Sequence, residues 1–262
     1  MALIHSFEKT GNILFRYRGQ IPVLFFMLAL PIVYLGHYDF FFSLSAEEQI
    51  ICSRLVWIIS LGLSACGFAI RAYTIGTTPR GTSGRNTTKQ EAVVLNTRGI
   101  YSIVRHPLYL GNYLMWGGVL LFSMNIYIVI IFSLLFWLYY ERIMFAEEKY
   151  LEKLFGDQFI TWSLQTPAFL PAFSHFKKSD IPFSFKAVLR REYTGFFAIV
   201  LVFTIMDYLK AYTFSLHHGQ PSLANNPCRV SLYVLAISAL IMLVLRTLKH
   251  HTRVLAADEN RD

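Results

Sequence analysis

The run Gly99-Ile100-Tyr101-Ser102-Ile103-Val104-Arg105-His106-Pro107-Leu108-Tyr109 sets a guanidinium, an imidazole and two phenols beside an apolar block. Pro107 suits the first turn of a helix, where its missing N–H costs nothing, so Arg105 and His106 fall at the N-terminal end of that helix. Exposed N–H groups and a cation at such a place attract a carboxylate or a phosphate. A second polar group, Glu141, Arg142, Glu147 and Glu148, stands at the end of the next apolar block. Ionisable groups at membrane depth are costly, so they point to function or to pairing. Taken alone, Arg105 and His106 could simply mark a charged membrane boundary, with Tyr101 and Tyr109 in an aromatic belt. The acidic cluster favours chemistry, because a tight hairpin between the two blocks returns it beside Arg105 and His106.

The elements that must position these groups are membrane helices. Hydrophobic residues make up 55% of the 262 and charged residues 15%, a balance that asks for lipid. Six stretches are candidates to cross or enter a bilayer: Ile21 to Phe41, Leu55 to Ile75, Tyr109 to Met124, Ile126 to Phe145, Phe196 to Phe214 and Val230 to Leu248. A full span takes about 20 apolar residues. The third and fourth stretches meet at Ser123-Met124-Asn125, which leaves room only for a helical hairpin. The expected fold is therefore all-α, a polytopic transmembrane helical bundle of about six membrane segments, with residues 1–262 forming a single membrane domain. Residues 1–20 carry Lys9, Arg16 and Arg18, and no small-residue cleavage site follows the next apolar stretch, which reads as a span and not as a cleaved signal.

Lys and Arg accumulate on the cytoplasmic side of short loops. Arg16 and Arg18 precede the first stretch, Arg80 to Arg105 follow the second, Lys149 to Arg191 lie between the fourth and fifth, and Arg246 to Arg253 follow the last. The opposite connections, around Asp39 to Gln49 and His217 to Asn226, hold neither residue type. Both termini are thus expected in the cytoplasm. So are the segments Gly76 to Pro107 and Lys149 to Lys186, where any water-soluble cofactor must bind. The formal charge of +8 serves membrane topology and not nucleic acid, because the cations flank apolar blocks instead of forming a stripe among stacking aromatics. Cys52, Cys66 and Cys228 show no CxxC and signal neither a disulfide framework nor a zinc site. His217 and His218 lack a third ligand, so no metal is expected. Arg71, inside the second stretch, could face the pocket, but snorkelling to the cytoplasmic interface is the favoured expectation.

The run RGIYSIVRHPLYLGNYLMWGG, followed by AEEKYLEKLFGDQFITW and then Pro167 and Pro171, resembles the isoprenylcysteine carboxyl methyltransferase and phospholipid methyltransferase family of integral membrane enzymes. The resemblance covers roughly Gly84 to Pro171, with a signature region at 77–175, and leaves two additional C-terminal membrane helices at 190–250 outside it. It implies a pocket for S-adenosylmethionine on the cytoplasmic side and an acceptor entering from the bilayer. Cofactor contacts carry over onto Asn86, where relatives have Gln, onto Val93 to Asn96 and so Leu95 and Asn96, onto Tyr101, onto His106 to Tyr109 and so Pro107 and Tyr109, and onto Glu147. Arg105 is implied to place charge near the reacting centre, and Glu147 or Glu148 to take a proton where the acceptor is an amine, with Arg105 and Glu148 as the catalytic pair.

Two departures concern the acceptor side. Val93 stands where carboxyl methyltransferases of this family have His, and Ile143 where they have an Arg that touches the acceptor. Arg142, one position away, is the expected substitute for substrate binding. The departures favour a lipid headgroup, such as the phosphate of a lipid A-like glycolipid, over a prenylated cysteine. Membrane lipid is thus the expected partner and the bacterial inner membrane the expected location, with oligomeric state open. A sterol-reductase-like enzyme binding NADPH is the competing reading, kept open by Arg80, Arg85 and Lys89. A transporter would need further polar residues deep in several spans and repeat symmetry, and the sequence offers neither.

Overall fold

In lipid every backbone N–H and C=O must be satisfied within the protein, which restricts an apolar chain like this one to helices. The computed structural model describes residues 3–36, 38–79, 90, 92–218 and 228–255, and among them the regular elements are helical. In order they are α1 (Leu3–Arg16), α2 (Ile21–Tyr34), α3 (Asp39–Ser43), α4 (Ala46–Gly76), α5 (Pro107–Phe122), α6 (Ile126–Phe155), α7 (Asp157–Gln165), α8 (Phe185–His218) and α9 (Cys228–His251).

Local chemistry sets several of these boundaries. Ser45 and Glu48 form a capping box at the start of α4, in which the Glu48 N–H donates to Ser45 Oγ and the Ser45 N–H donates to Glu48 Oε2 at 2.8 Å. This cap starts the helix nine residues ahead of the Leu55 expected from hydropathy. Between α5 and α6, Met124 adopts a left-handed φ of 59°, and Asn125 Oδ1 accepts from the N–H groups of Tyr127 and Ile128. The expected hairpin is present. Gly156, at φ 51°, both ends α6 and begins α7, a conformation that favours glycine.

Among the described residues, four helices, α4, α6, α8 and α9, are long and apolar enough to cross a membrane, and α1 with α2 adds a fifth when the pair is taken as one span bent by 80°. The first expected stretch is broken up: α2 stops at Tyr34, shortly after Pro31, and Phe41 belongs to the separate α3. At about 1.5 Å per residue, the 16 residues of α5 reach roughly 24 Å, short of the ~30 Å hydrocarbon core.

Close helix contact depends on small residues at particular faces. A Cβ on Gly67 would lie 2.5 Å from the Gly111 carbonyl oxygen, and one on Gly118 would lie 2.2 Å from Ser64 Oγ and 2.4 Å from the Ser60 carbonyl oxygen. These contacts draw α4 and α5 together, and Ser64 Oγ donates to the Met115 carbonyl at 2.8 Å. Small residues at helix crossings are the usual route to tight packing in lipid, where apolar burial gives little drive. In the same way, Gly11 lets α1 lie against α6 beside the Arg142 carbonyl, and Lys153 pairs with Glu8 at 2.5 Å.

Candidate functional site

The segment preceding α5 is helical only over the short 3-10 turn Ile100–Ser102, so much of its backbone pairs with the chain that follows α7. The Gly99 N–H donates to the Lys177 carbonyl at 2.8 Å, Arg105 N–H to the Pro167 carbonyl at 2.9 Å, His106 N–H to the Ala168 carbonyl at 3.1 Å, and Ala172 N–H to the Ile103 carbonyl at 2.9 Å. Trp162 Nε1 donates to the Tyr101 carbonyl at 3.1 Å. Residues 99–106 are thereby fixed across the N-terminal end of α5 and the C-terminal end of α6.

Arg105 ties three elements. Its Nε and Nη2 donate to the two Glu148 carboxylate oxygens at 2.8 and 3.3 Å. Its Nη1 donates to the carbonyls of Ser163 and Thr166 at 2.6 and 2.7 Å, which lie at the C-terminus of α7, where a cation is favoured. His106, 7% exposed, lies between two carboxylates. Its Nε2 is 2.9 Å from Glu148 Oε1 and its Nδ1 is 3.5 Å from Glu147 Oε2. Burial works to lower the His106 pKa, but hydrogen bonds and charge from Glu147 and Glu148 outweigh it and raise the pKa above 6.5. Tyr109 Oη donates to Glu147 Oε1 at 2.7 Å. Burial pushes the Tyr101 phenol above its ordinary range.

These groups line one cavity of about 390 Å³. Leu95, Asn96, Tyr101, Arg105, His106, Pro107, Tyr109, Glu147 and Glu148 all contribute to its wall, so the two polar clusters of the sequence meet there. Val94 and Leu108 line it as well, whereas Val93 is 75% exposed and outside the lining. Asn86 lies outside the described residues, as do Arg80, Arg85 and Lys89.

Two expectations about cations need correction. Arg142 does not line the cavity: its guanidinium lies over the Phe7 ring of α1, 4.7 Å from the centroid. Residue 142 faces α1 because the next position, Ile143, is the one turned into the core, fully buried with Phe15 and Tyr140. Arg71 does not snorkel outward. It lines the cavity, with Nε and Nη2 donating to Glu192 at 2.8 and 2.7 Å and Nη1 donating to Asn112 Oδ1 at 2.6 Å. Glu192 and its neighbour Arg191, which also lines the cavity, come from α8 and were not singled out as site residues in the sequence. The available signal was the pairing argument itself, since a cation inside an apolar span asks for a buried partner.

Compared with known proteins, the phospholipid methyltransferase family model matches residues 56–158. The protein-S-isoprenylcysteine O-methyltransferase of Schizosaccharomyces pombe is 33% identical over 78 residues, 30% of this chain and 33% of the relative. The protein-S-isoprenylcysteine O-methyltransferase B of Arabidopsis thaliana is 32% identical over 122 residues, 44% of this chain and 60% of the relative. The nickel-cobalt-cadmium resistance protein NccN of Alcaligenes xylosoxydans xylosoxydans is 35% identical over 98 residues, 37% of this chain and 43% of the relative. The chain thus spans between a third and three fifths of the length of the first two relatives. No solved structure matches significantly. The matched segment, residues 56–158, runs from within α4 to the start of α7 and contains the Arg105, His106, Glu147 and Glu148 cluster, and over this segment the chain is similar to the phospholipid methyltransferase family.

Proposed function

We infer that the protein transfers a methyl group from S-adenosylmethionine to an acceptor carried by a lipid, the favoured acceptor being the phosphate of a lipid A-like glycolipid or another lipid headgroup. The observation that carries this reading is the gathering of Leu95, Asn96, Tyr101, His106, Pro107, Tyr109 and Glu147 around one cavity at a membrane-helix end. Its volume of about 390 Å³ falls within the ~300–1,000 Å³ usual for ligand sites. The donor set fits the cofactor. Carboxylates of Glu147 and Glu148 suit its cationic groups, and Asn96 and the aromatic rings suit a nucleoside.

When bound, S-adenosylmethionine supplies a methyl group already activated on a sulfonium, for in-line displacement. The chain's own residues then align the partners and exclude water. Tyr109 fixes Glu147 by donating to it, so this carboxylate is preset to hold a cation. Arg105 and His106 fix Glu148 from two sides. A phosphate or carboxylate oxygen attacks without losing a proton, whereas an amine would pass its proton to Glu148. Basic loops favour cytoplasmic termini, and a lipid A-like acceptor would put the chain in a bacterial inner membrane.

The test is calorimetry on the detergent-purified chain with S-adenosylmethionine and with NADPH, followed by transfer of labelled methyl to extracted lipid. Binding of the methyl donor and a label in the lipid fraction are expected. Tight NADPH binding with no response to the donor would sink the reading. A prenylcysteine carboxylate is the second acceptor to offer, because two of the relatives carry that activity in their names, and N-acetyl farnesylcysteine is the probe.

A further inference from the structure

α8 lies beyond the family-matched residues 56–158, yet it supplies Arg191 and Glu192 to the cavity wall. Glu192 is 3% exposed and its carboxylate clamps Arg71 of α4 from the side, while Asn112 of α5 holds the other terminal nitrogen. Arg71 stands five residues before the end of α4 and Asn112 five after the start of α5, so both lie about 7.5 Å below the helix ends at ~1.5 Å per residue. A pair of buried charges at this depth is costly to desolvate and gives no net stability by itself. Its position in the wall of the cavity gives it another use.

A guanidinium carries five N–H donors. Glu192 takes the Nε donor and one from Nη2, and Asn112 takes one from Nη1, which leaves one N–H on each terminal nitrogen. The side chain is 20% exposed and opens on the cavity. Clamped in this way, Arg71 loses little rotamer freedom on binding a ligand. Arg191 adds a second cation to the same wall. The other side chains considered for the acceptor do not reach it, because Arg142 lies on Phe7 and Ile143 is in the core.

We propose that Arg71, held by Glu192 and Asn112, binds the oxyanion of the acceptor, so that α8 is part of the substrate site. The proposal rests on the methyltransferase reading above and names the group that the acceptor presents: phosphate or carboxylate oxygens in contact with Arg71. It also explains why the ion pair sits in the cavity and not among the packed helices.

The test uses the full chain in detergent, with and without S-adenosylhomocysteine. Three short-chain probes are titrated: dihexanoyl phosphatidic acid, dihexanoylglycerol hemisuccinate and neutral dihexanoylglycerol. Wild-type protein is expected to bind at least one anionic probe about tenfold or more tighter than the neutral one, as a charge-assisted contact implies. The tighter anion tells phosphate from carboxylate. The double variant Arg71→Gln/Glu192→Gln removes both charges together and so leaves no unpaired ion in the wall. It is expected to bind all three probes within about twofold of one another while still binding S-adenosylhomocysteine, which shows that the cavity is intact. Arg71→Lys, which keeps the charge but loses the fork, provides the same reading where the double variant does not fold, with a preference reduced at least threefold. Equal binding of anionic and neutral probes by wild type, or an undiminished preference in the variants, overturns the proposal. Absence of S-adenosylhomocysteine binding by wild type overturns the methyltransferase reading instead, and is read in a separate titration.

Discussion

Replacing Arg105 by lysine separates a boundary charge from a geometric clamp. Arg105 donates twice to Glu148, at 2.8 and 3.3 Å, and twice to the α7 carbonyls of Ser163 and Thr166, at 2.6 and 2.7 Å. Its side chain is 16% exposed and that of Glu148 26%, so solvent screens the pair only partly. Lysine has three donors on a single nitrogen and cannot span a carboxylate and two carbonyls at once. Hydrogen bonds to charged groups contribute about 1.5–3 kcal/mol each, and lysine retains one or two of the four. Simple addition over the two or three lost contacts gives about 3–9 kcal/mol, and partial solvent exposure with the non-additivity of contacts in one network discounts this to roughly 2–4 kcal/mol, shared between the folded state and the positioning of Glu148. Expressed wholly in rate, that range corresponds to roughly thirty- to a thousandfold. Two measurements are needed: the thermal unfolding midpoint in detergent, and labelled methyl transfer by membranes holding equal amounts of each protein. A midpoint lower by several degrees together with strongly reduced transfer is expected. A lysine variant with an unchanged midpoint and more than half the activity refutes the clamp, because positive charge alone would then suffice.

Three further outcomes follow from the geometry. The raised pKa of His106 means that its imidazolium contributes stability fully below about pH 6.5 and progressively less as the pH rises through the folded value; thermal midpoints of wild type should fall over that rise, and His106→Gln should flatten the difference. At Gly118 a methyl group would meet Ser64 Oγ at 2.2 Å and the Ser60 carbonyl oxygen at 2.4 Å, so Gly118→Ala should cost about 1–3 kcal/mol by overpacking, visible as a lowered midpoint, whereas Gly62→Ala, with open space around it, should leave the midpoint in place. In a background lacking Cys52, Cys66 and Cys228, Ser43→Cys should label from outside intact cells and Ser174→Cys should not; the reverse pattern would invert the orientation.

Much of this protein is legible in its sequence because lipid imposes a one-dimensional code. Apolar length, loop charge and the constraint on backbone hydrogen bonding act locally, so the order of the helices, the Ser123-Met124-Asn125 hairpin and the meeting of Arg105 and His106 with Glu147 and Glu148 could be read without coordinates. Helix ends were less legible. The Ser45 cap starts α4 earlier than hydropathy suggests, and α2 stops soon after Pro31, since caps and prolines act through single hydrogen bonds that averaging over a window hides.

The direction of each side chain around its helix belongs to the tertiary structure alone. Arg142 and Ile143 are adjacent in sequence, and only the packing of α1 on α6 sends Arg142 to Phe7 and Ile143 into the core. Arg71 has no periodic signal in an apolar helix, and its partner Glu192 is 121 residues away. Their pairing was settled when α4, α5 and α8 came together, because a rotation of about 100° per residue around a helix axis carries a neighbouring side chain from lipid to cavity, and no local property of the sequence fixes that rotation.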